Sequence, residues 1–279
     1  MMKPRNKKED DEGDDDPFKE RLVERQVMRV LESGLIEVDA EGLHYKDLNL
    51  IIKQNAWADK KKFKVFNVCG QRYIGTGVDR SVDIEIYGTP GNDLGAFMDG
   101  PTIRVFGNAQ DGLGNTMNDG TIIVHGHAGD IAGYGMRGGR IFIKEDVGYR
   151  VGIHMKEYQD KAPLLVIGGT AQDFLGEYMA GGRLVVLGLT LKDGASHKAN
   201  FIGTGMHAGV IYIRGDVADP QIGEGVAKVP LDDKDQEFLE KVVGDFCTYF
   251  GGSKEEILKA GFIKLKPRSS RPYKNIYAY

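Results

Sequence analysis

From Ile84 to Gly215 the chain repeats one pattern of apolar and polar positions. Ile84-Glu-Ile-Tyr-Gly, Ile103-Arg-Val-Phe-Gly, Ile122-Ile-Val-His-Gly, Ile141-Phe-Ile-Lys-Glu, Leu164-Leu-Val-Ile-Gly, Leu184-Val-Val-Leu-Gly and Ile211-Tyr-Ile-Arg-Gly are seven versions of one short strand. Their starts lie 19, 19, 19, 23, 20 and 27 residues apart, and the longer intervals read as insertions at Tyr158–Ala162 and Thr190–Lys198. The first and third residue of every version is aliphatic. The two-residue period of a strand puts that pair on one face. The middle residues, Glu85, Arg104, Ile123, Phe142, Leu165, Val185 and Tyr212, then point outward. The first two are charged and the last five are apolar. Ile123, Phe142, Leu165, Val185 and Tyr212 therefore predict an apolar outer stripe, covered by the chain's own terminal helices or by another protein.

A second ladder shares the spacing. Gly95, Gly114, Gly133, Gly152, Gly176 and Gly203 are followed three residues later by Met98, Met117, Met136, Met155, Met179 and Met206. A period near twenty residues with a short strand per unit predicts a solenoid, here a right-handed parallel β-helix of about seven coils. Stacking buries a face that no coil buries alone. The thioethers fill the core where the coil bends, and the glycines permit positive φ or close approach between coils. Six intervals of about 4.8 Å give a rod of roughly 30 Å.

The flanks follow a helical period. Asp16-Pro17 reads as a helix start, with Leu22, Val23, Gln26, Val27, Val30 and Leu31 on one side and Ser33-Gly34 as the stop. Leu35 to Asp39 reads as a strand, and 51–62 as a helical turn holding Trp57. Phe238, Leu239, Val242, Val243 and Phe246 predict a long helix closed by Gly251-Gly252. Ser253-Lys-Glu-Glu256 opens a shorter one. The expected organisation is an acidic disordered tail (1–16), a capping segment (17–63), a β-helix domain (64–218) and a helical extension with a basic tail (219–279).

Charge narrows the function classes. The formal net charge is −4, of which −3 comes from Lys3 to Asp16, so nucleic acid is not an expected partner. Two cysteines cannot supply the four thiolates of a usual iron–sulfur or structural zinc site. No apolar run reaches the eighteen residues of a membrane helix, and a cytoplasmic protein is expected.

Individual motifs add little chemistry. Gly133-Tyr-Gly-Met-Arg-Gly138 matches a dinucleotide-binding string but belongs to the ladders, without a βαβ unit around it. His125-Gly-His127 lacks a third metal ligand, and His154 and His207 read as corner residues beside the methionines. Asp111, Asp130 and Asp173 recur in turns, where aspartate bonds nearby backbone. Glu177 is the one carboxylate inside the glycine–methionine register, a buried anchor or part of a solvent path. No catalytic, cofactor-binding or metal-ligating residue is expected in this chain.

The stretches Gly168-Gly-Thr-Ala-Gln-Asp-Phe-Leu-Gly-Glu-Tyr-Met-Ala-Gly-Gly-Arg-Leu-Val-Val-Leu-Gly188 and Asn200-Phe-Ile-Gly-Thr-Gly-Met-His-Ala-Gly-Val-Ile-Tyr-Ile213 carry a resemblance. They resemble the C-terminal glycine-repeat (GXGXG) domain of the large subunit of glutamate synthase, over about residues 64–215. The resemblance implies a right-handed β-helix and a stand-alone scaffold subunit of a split enzyme, without activity of its own. It implies a glutamine amidotransferase partner and a synthase partner that holds FMN and an iron–sulfur cluster, with ammonia passing between them. One of the subunits of formylmethanofuran dehydrogenase has a related repeat and implies a scaffold in a different redox complex. Two expectations of other classes stand beside these: an enzyme using a pocket beside the solenoid, and a module whose apolar stripe pairs with a second copy.

Overall fold

The computed structural model describes residues 27–58, 61–192 and 194–269. One twelve-stranded sheet runs through them. The strands are β1 (Met28–Val30), β2 (Leu35–Asp39), β3 (Lys62–Cys69), β4 (Asp83–Thr89), β5 (Asp99–Phe106), β6 (Asp119–Val124), β7 (Arg140–Ile143), β8 (Leu164–Ile167), β9 (Ala180–Val186), β10 (Ala208–Arg214), β11 (Val226–Val229) and β12 (Phe262–Pro267). Three helices accompany them: α1 (Tyr45–Trp57), α2 (Asp233–Phe250) and α3 (Lys254–Lys259). From β2 to β10 each strand pairs in parallel with the next, which is the parallel β-solenoid that the periodicity predicts. At both ends the direction reverses. β1 folds back antiparallel on β2, and β12 lies antiparallel between β10 and β11.

The inward pairs form one continuous core. Ile84 and Ile86, Ile103 and Val105, Ile122 and Val124, Ile141 and Ile143, Leu184 and Val186, and Ile211 and Ile213 are buried in it. Met98, Met117, Met136, Met155 and Met179 are fully buried at the bend, and Met206 nearly so. Each unbranched side chain fills space that a β-branched residue would leave empty.

Three expectations change. Val27, Val30 and Leu31 suit a helix by spacing, yet 28–30 form an antiparallel strand turned by Ser33-Gly34, because pairing with β2 overrides a local period. The start of that expected helix and the acidic tail lie outside the described residues, as does most of the basic tail. The sheet also exceeds 64–218: β2 already pairs in parallel with β3, and β11 and β12 extend it beyond β10. Finally, Leu165 is not on the outer stripe. It pairs with Ile141 and sits in the solenoid core, while Val166 pairs with Phe142 and faces out. Leu164 to Ile167 are all aliphatic, so the strand has no polar residue to reveal which face is which, and one residue of slip exchanges the faces.

Candidate functional site

The glycine ladder marks a corner with an unusual backbone. Positive φ recurs at alternate residues in each coil, as at Asp93, Gly95 and Phe97, then Gly112, Gly114 and Thr116, then Ile131, Gly133 and Gly135. The alternation aims successive N–H groups in opposite directions along the rod. Gly114 N–H donates back to the Leu94 carbonyl at 2.8 Å, and Thr116 N–H donates forward to the Tyr134 carbonyl at 2.7 Å. The same pair of bonds recurs as Gly133 to Leu113 and Gly135 to Ile153. The backbone is thereby satisfied by neighbouring coils rather than by water.

The central position combines positive φ with close packing, so a larger residue there would have to displace a core side chain. A Cβ at Gly114 would lie 2.4 Å from Ile141 Cδ1, and one at Gly133 2.7 Å from Leu165 Cδ1. The outer positions open to solvent and accept side chains, at a cost of about 1 kcal/mol each for left-handed backbone. Many are aromatic, and stacking offsets part of that cost. Phe174 stacks on Phe201 with centroids 4.9 Å apart, and His154 stacks on Tyr178 at 5.4 Å. Arg150 lies 4.4 Å over the Phe174 ring and forms an ion pair with Glu177, whose side chain is buried. Glu177 is thus the anchor of a corner side chain. His154 is a stacking partner, and Gly133 and Gly135 of the dinucleotide-like string are corner positions.

The recurring aspartates act across coils rather than within their own turns. Asp111 Oδ1 accepts from Asp130 N–H at 2.8 Å, Asp130 Oδ1 from Tyr149 N–H at 2.8 Å, and Asp173 Oδ1 from Asn200 N–H at 2.8 Å. Glycines of the next coil leave room for the carboxylates, since a Cβ at Gly129 or Gly148 would strike Asp111 or Asp130. Asn108 and Asp146 do the same for His127 and Thr170. The sequence signal for these two was available: an Asn or Asp one coil before a glycine.

The outer face divides in two. Lys64, Glu85 and Arg104 meet water and pair with one another or with Asp83. Beside them Phe66, Tyr87, Phe106 and His125 stack at 4.8–5.0 Å, and Phe250 of α2 closes the stack edge-on against His125. His125 is therefore a rung of an aromatic ladder. Burial, then Lys144 and Arg104, push its imidazole below the usual range. Beyond β6 the face is covered. Phe142, Leu164, Val166, Val185, Leu187 and Tyr212 pack under Leu239, Val242, Val243 and Phe246 of α2 and Ile257 of α3. Ile123 is buried as well. Of the two covers the stripe could have, the chain supplies its own over β7–β10. One buried polar cluster pins α2: Asp235 accepts from Tyr212 Oη at 2.6 Å and forms an ion pair with Lys264 of β12.

Among the described residues no three His, Cys, Asp or Glu side chains converge on a metal-sized space, and no helix is long and apolar enough to cross a membrane. Comparison with known proteins finds that the GXGXG motif family matches residues 63–268, the span that holds the repeating corner. The chain belongs to the GXGXG family. It is of the glutamate synthase domain 3 type. An uncharacterized protein of Methanocaldococcus jannaschii is 48% identical over 252 residues, covering 87% of this chain and 96% of that one. The structure gives the glycine string a physical reading: the central glycine sits against a core side chain that a Cβ would displace, and the flanking positions hold left-handed backbone that glycine adopts freely and other residues at a cost.

Proposed function

We propose that this GXGXG protein is a non-catalytic scaffold subunit of a split glutamate synthase. In this reading a glutamine amidotransferase chain releases ammonia, and a partner chain carrying FMN and an iron–sulfur cluster forms glutamate from 2-oxoglutarate. The solenoid holds the two in register so that ammonia passes between them. The observation that carries the reading is the glutamate synthase domain 3 type match across residues 63–268. The uses found for the repeat's polar side chains agree with it: Asp111, Asp130, Asp173 and Glu177 are all engaged in holding coils together. The water-facing half of the outer sheet, with Lys64, Glu85, Arg104 and the exposed Phe106, is the face left for such partners.

The test is reconstitution. The chain is purified together with the amidotransferase and synthase chains of its organism, and glutamate formation from glutamine and 2-oxoglutarate is followed with and without it. The reading expects coupling only when this chain is present and no turnover by this chain alone. Full coupling without it overturns the scaffold role.

A further inference from the structure

An opening lies between the outer face and its cover. A cleft of about 330 Å³ lies between strands β7–β9 and the middle turns of α2. Pro163, Leu164 and Val242 give it an apolar floor, and Arg140, Arg183, Lys241 and Asp245 line it. The pairing register sets Arg140 and Arg183 on either side of Leu164, two strand spacings or about 10 Å apart.

The three cations are not equivalent. Arg140 reaches across to α2 and forms an ion pair with Asp245, closing one end of the cleft. Arg183 comes from the sheet wall, and its guanidinium lies 4.3 Å from the centroid of Phe238. This contact engages the ring and not a hydrogen-bond acceptor, so among the described residues the N–H donors of Arg183 remain open to a carboxylate. Lys241 comes from the helix wall. Among the described residues neither Arg183 nor Lys241 has a carboxylate within ion-pair distance. Three cations against one carboxylate leave two positive charges without a counter-ion among the described residues, one on the sheet wall and one on the helix wall of the cleft.

We propose that this cleft binds a short-chain dicarboxylate, with one carboxylate on Arg183, the other on Lys241 and the carbon chain on Leu164 and Val242. A monocarboxylate satisfies one wall only. Inorganic phosphate has no carbon chain for the floor. Neither is expected to bind as tightly.

Calorimetric titration of the full chain at low salt tests this, with succinate, acetate and inorganic phosphate as probes. Succinate should bind saturably, and acetate and phosphate at least tenfold more weakly. Loss of one charge-assisted contact is worth about tenfold in affinity or more, so Arg183→Gln and Lys241→Gln should each weaken succinate by that factor. Arg183→Lys should fall between, because it keeps the charge and loses the fork. Lys156→Gln, an exposed lysine outside the cleft, should change nothing. Lys241 is exposed, so its variant keeps the test valid even where an Arg183 variant melts early. No saturable binding at millimolar succinate overturns the site. So does equal binding by Lys241→Gln, and so does phosphate matching succinate.

Discussion

The outer face of the solenoid carries two surfaces on one sheet. Over β3–β5 the outward residues are Lys64, Glu85 and Arg104, paired laterally and facing water. Over β7–β10 they are Phe142, Val166, Val185 and Tyr212, sealed under α2 and α3. The inward face is alike in both halves, so the backbone does not distinguish them. The difference lies in one side chain per coil. A parallel β-helix is stabilised by its inner face, and its outer face is free to be wetted, covered by the same chain or used for a partner. Here two of those outcomes occur side by side.

Substitutions should separate the halves sharply. The largest effect is expected from Phe246→Ala, which empties a buried ring site between α2 and the sheet and should cost about 4 kcal/mol. Chemical denaturation measures it, and a loss below about 1 kcal/mol would mean that α2 does not hold the covered half. Next comes Asp235→Ala, at about 3 kcal/mol, because it removes the buried carboxylate that Lys264 and Tyr212 share and leaves Lys264 only the exposed Asp232, at 3.6 Å. A triple variant, Asp235→Leu with Lys264→Met and Tyr212→Phe, removes every polar member of the cluster and should regain most of that stability, and failure to do so would point to a role beyond charge and hydrogen-bond balance.

Acid should also act on the covered half. His197 is buried against the Arg214 carbonyl at 3.0 Å. Burial lowers its pKa, the bond to that carbonyl opposes the shift, and the charge of Arg214 adds to it. A folded-state pKa below the unfolded value of about 6.5 contributes nothing above that pH. As pH falls below it the unfolded chain binds the proton first. Stability should therefore drop with a slope of up to about 1.4 kcal/mol per pH unit until the folded pKa is reached. A His197→Gln variant should lack that component of the pH profile. The smallest effect belongs to the wet half: Arg104→Ala should change stability by less than about 0.5 kcal/mol, since its ion pair with Asp83 is exposed. A loss comparable to that of Phe246→Ala would erase the contrast.

Much of this was legible in the chain itself. Alternation in Ile84-Glu-Ile and Ile103-Arg-Val reveals which face is inside, because a charge sits between two aliphatics. The glycine–methionine spacing marks the corner. Leu164-Leu-Val-Ile167 conceals its register for the opposite reason, having no polar residue to break the symmetry. The aspartates were visible as a recurring feature, but their partners are backbone groups one coil away, and no local rule connects them. The cleft was not legible at all. Arg183 and Lys241 are 58 positions apart, and only the laying of α2 across β7–β9 brings them to one space.

The reversal of strand direction at both ends has a consequence for assembly. A stack of parallel coils is a template for its own growth, because each open end offers the edge that the next coil would use. In this chain β1 and the β12–β11 pair present antiparallel edges instead. The edge strands are also short, three residues in β1 and four in β11, so a second copy arriving head to tail finds few backbone groups to pair with. Among the described residues, the ends of the rod thus offer a second copy far less edge than the long parallel strands between them would.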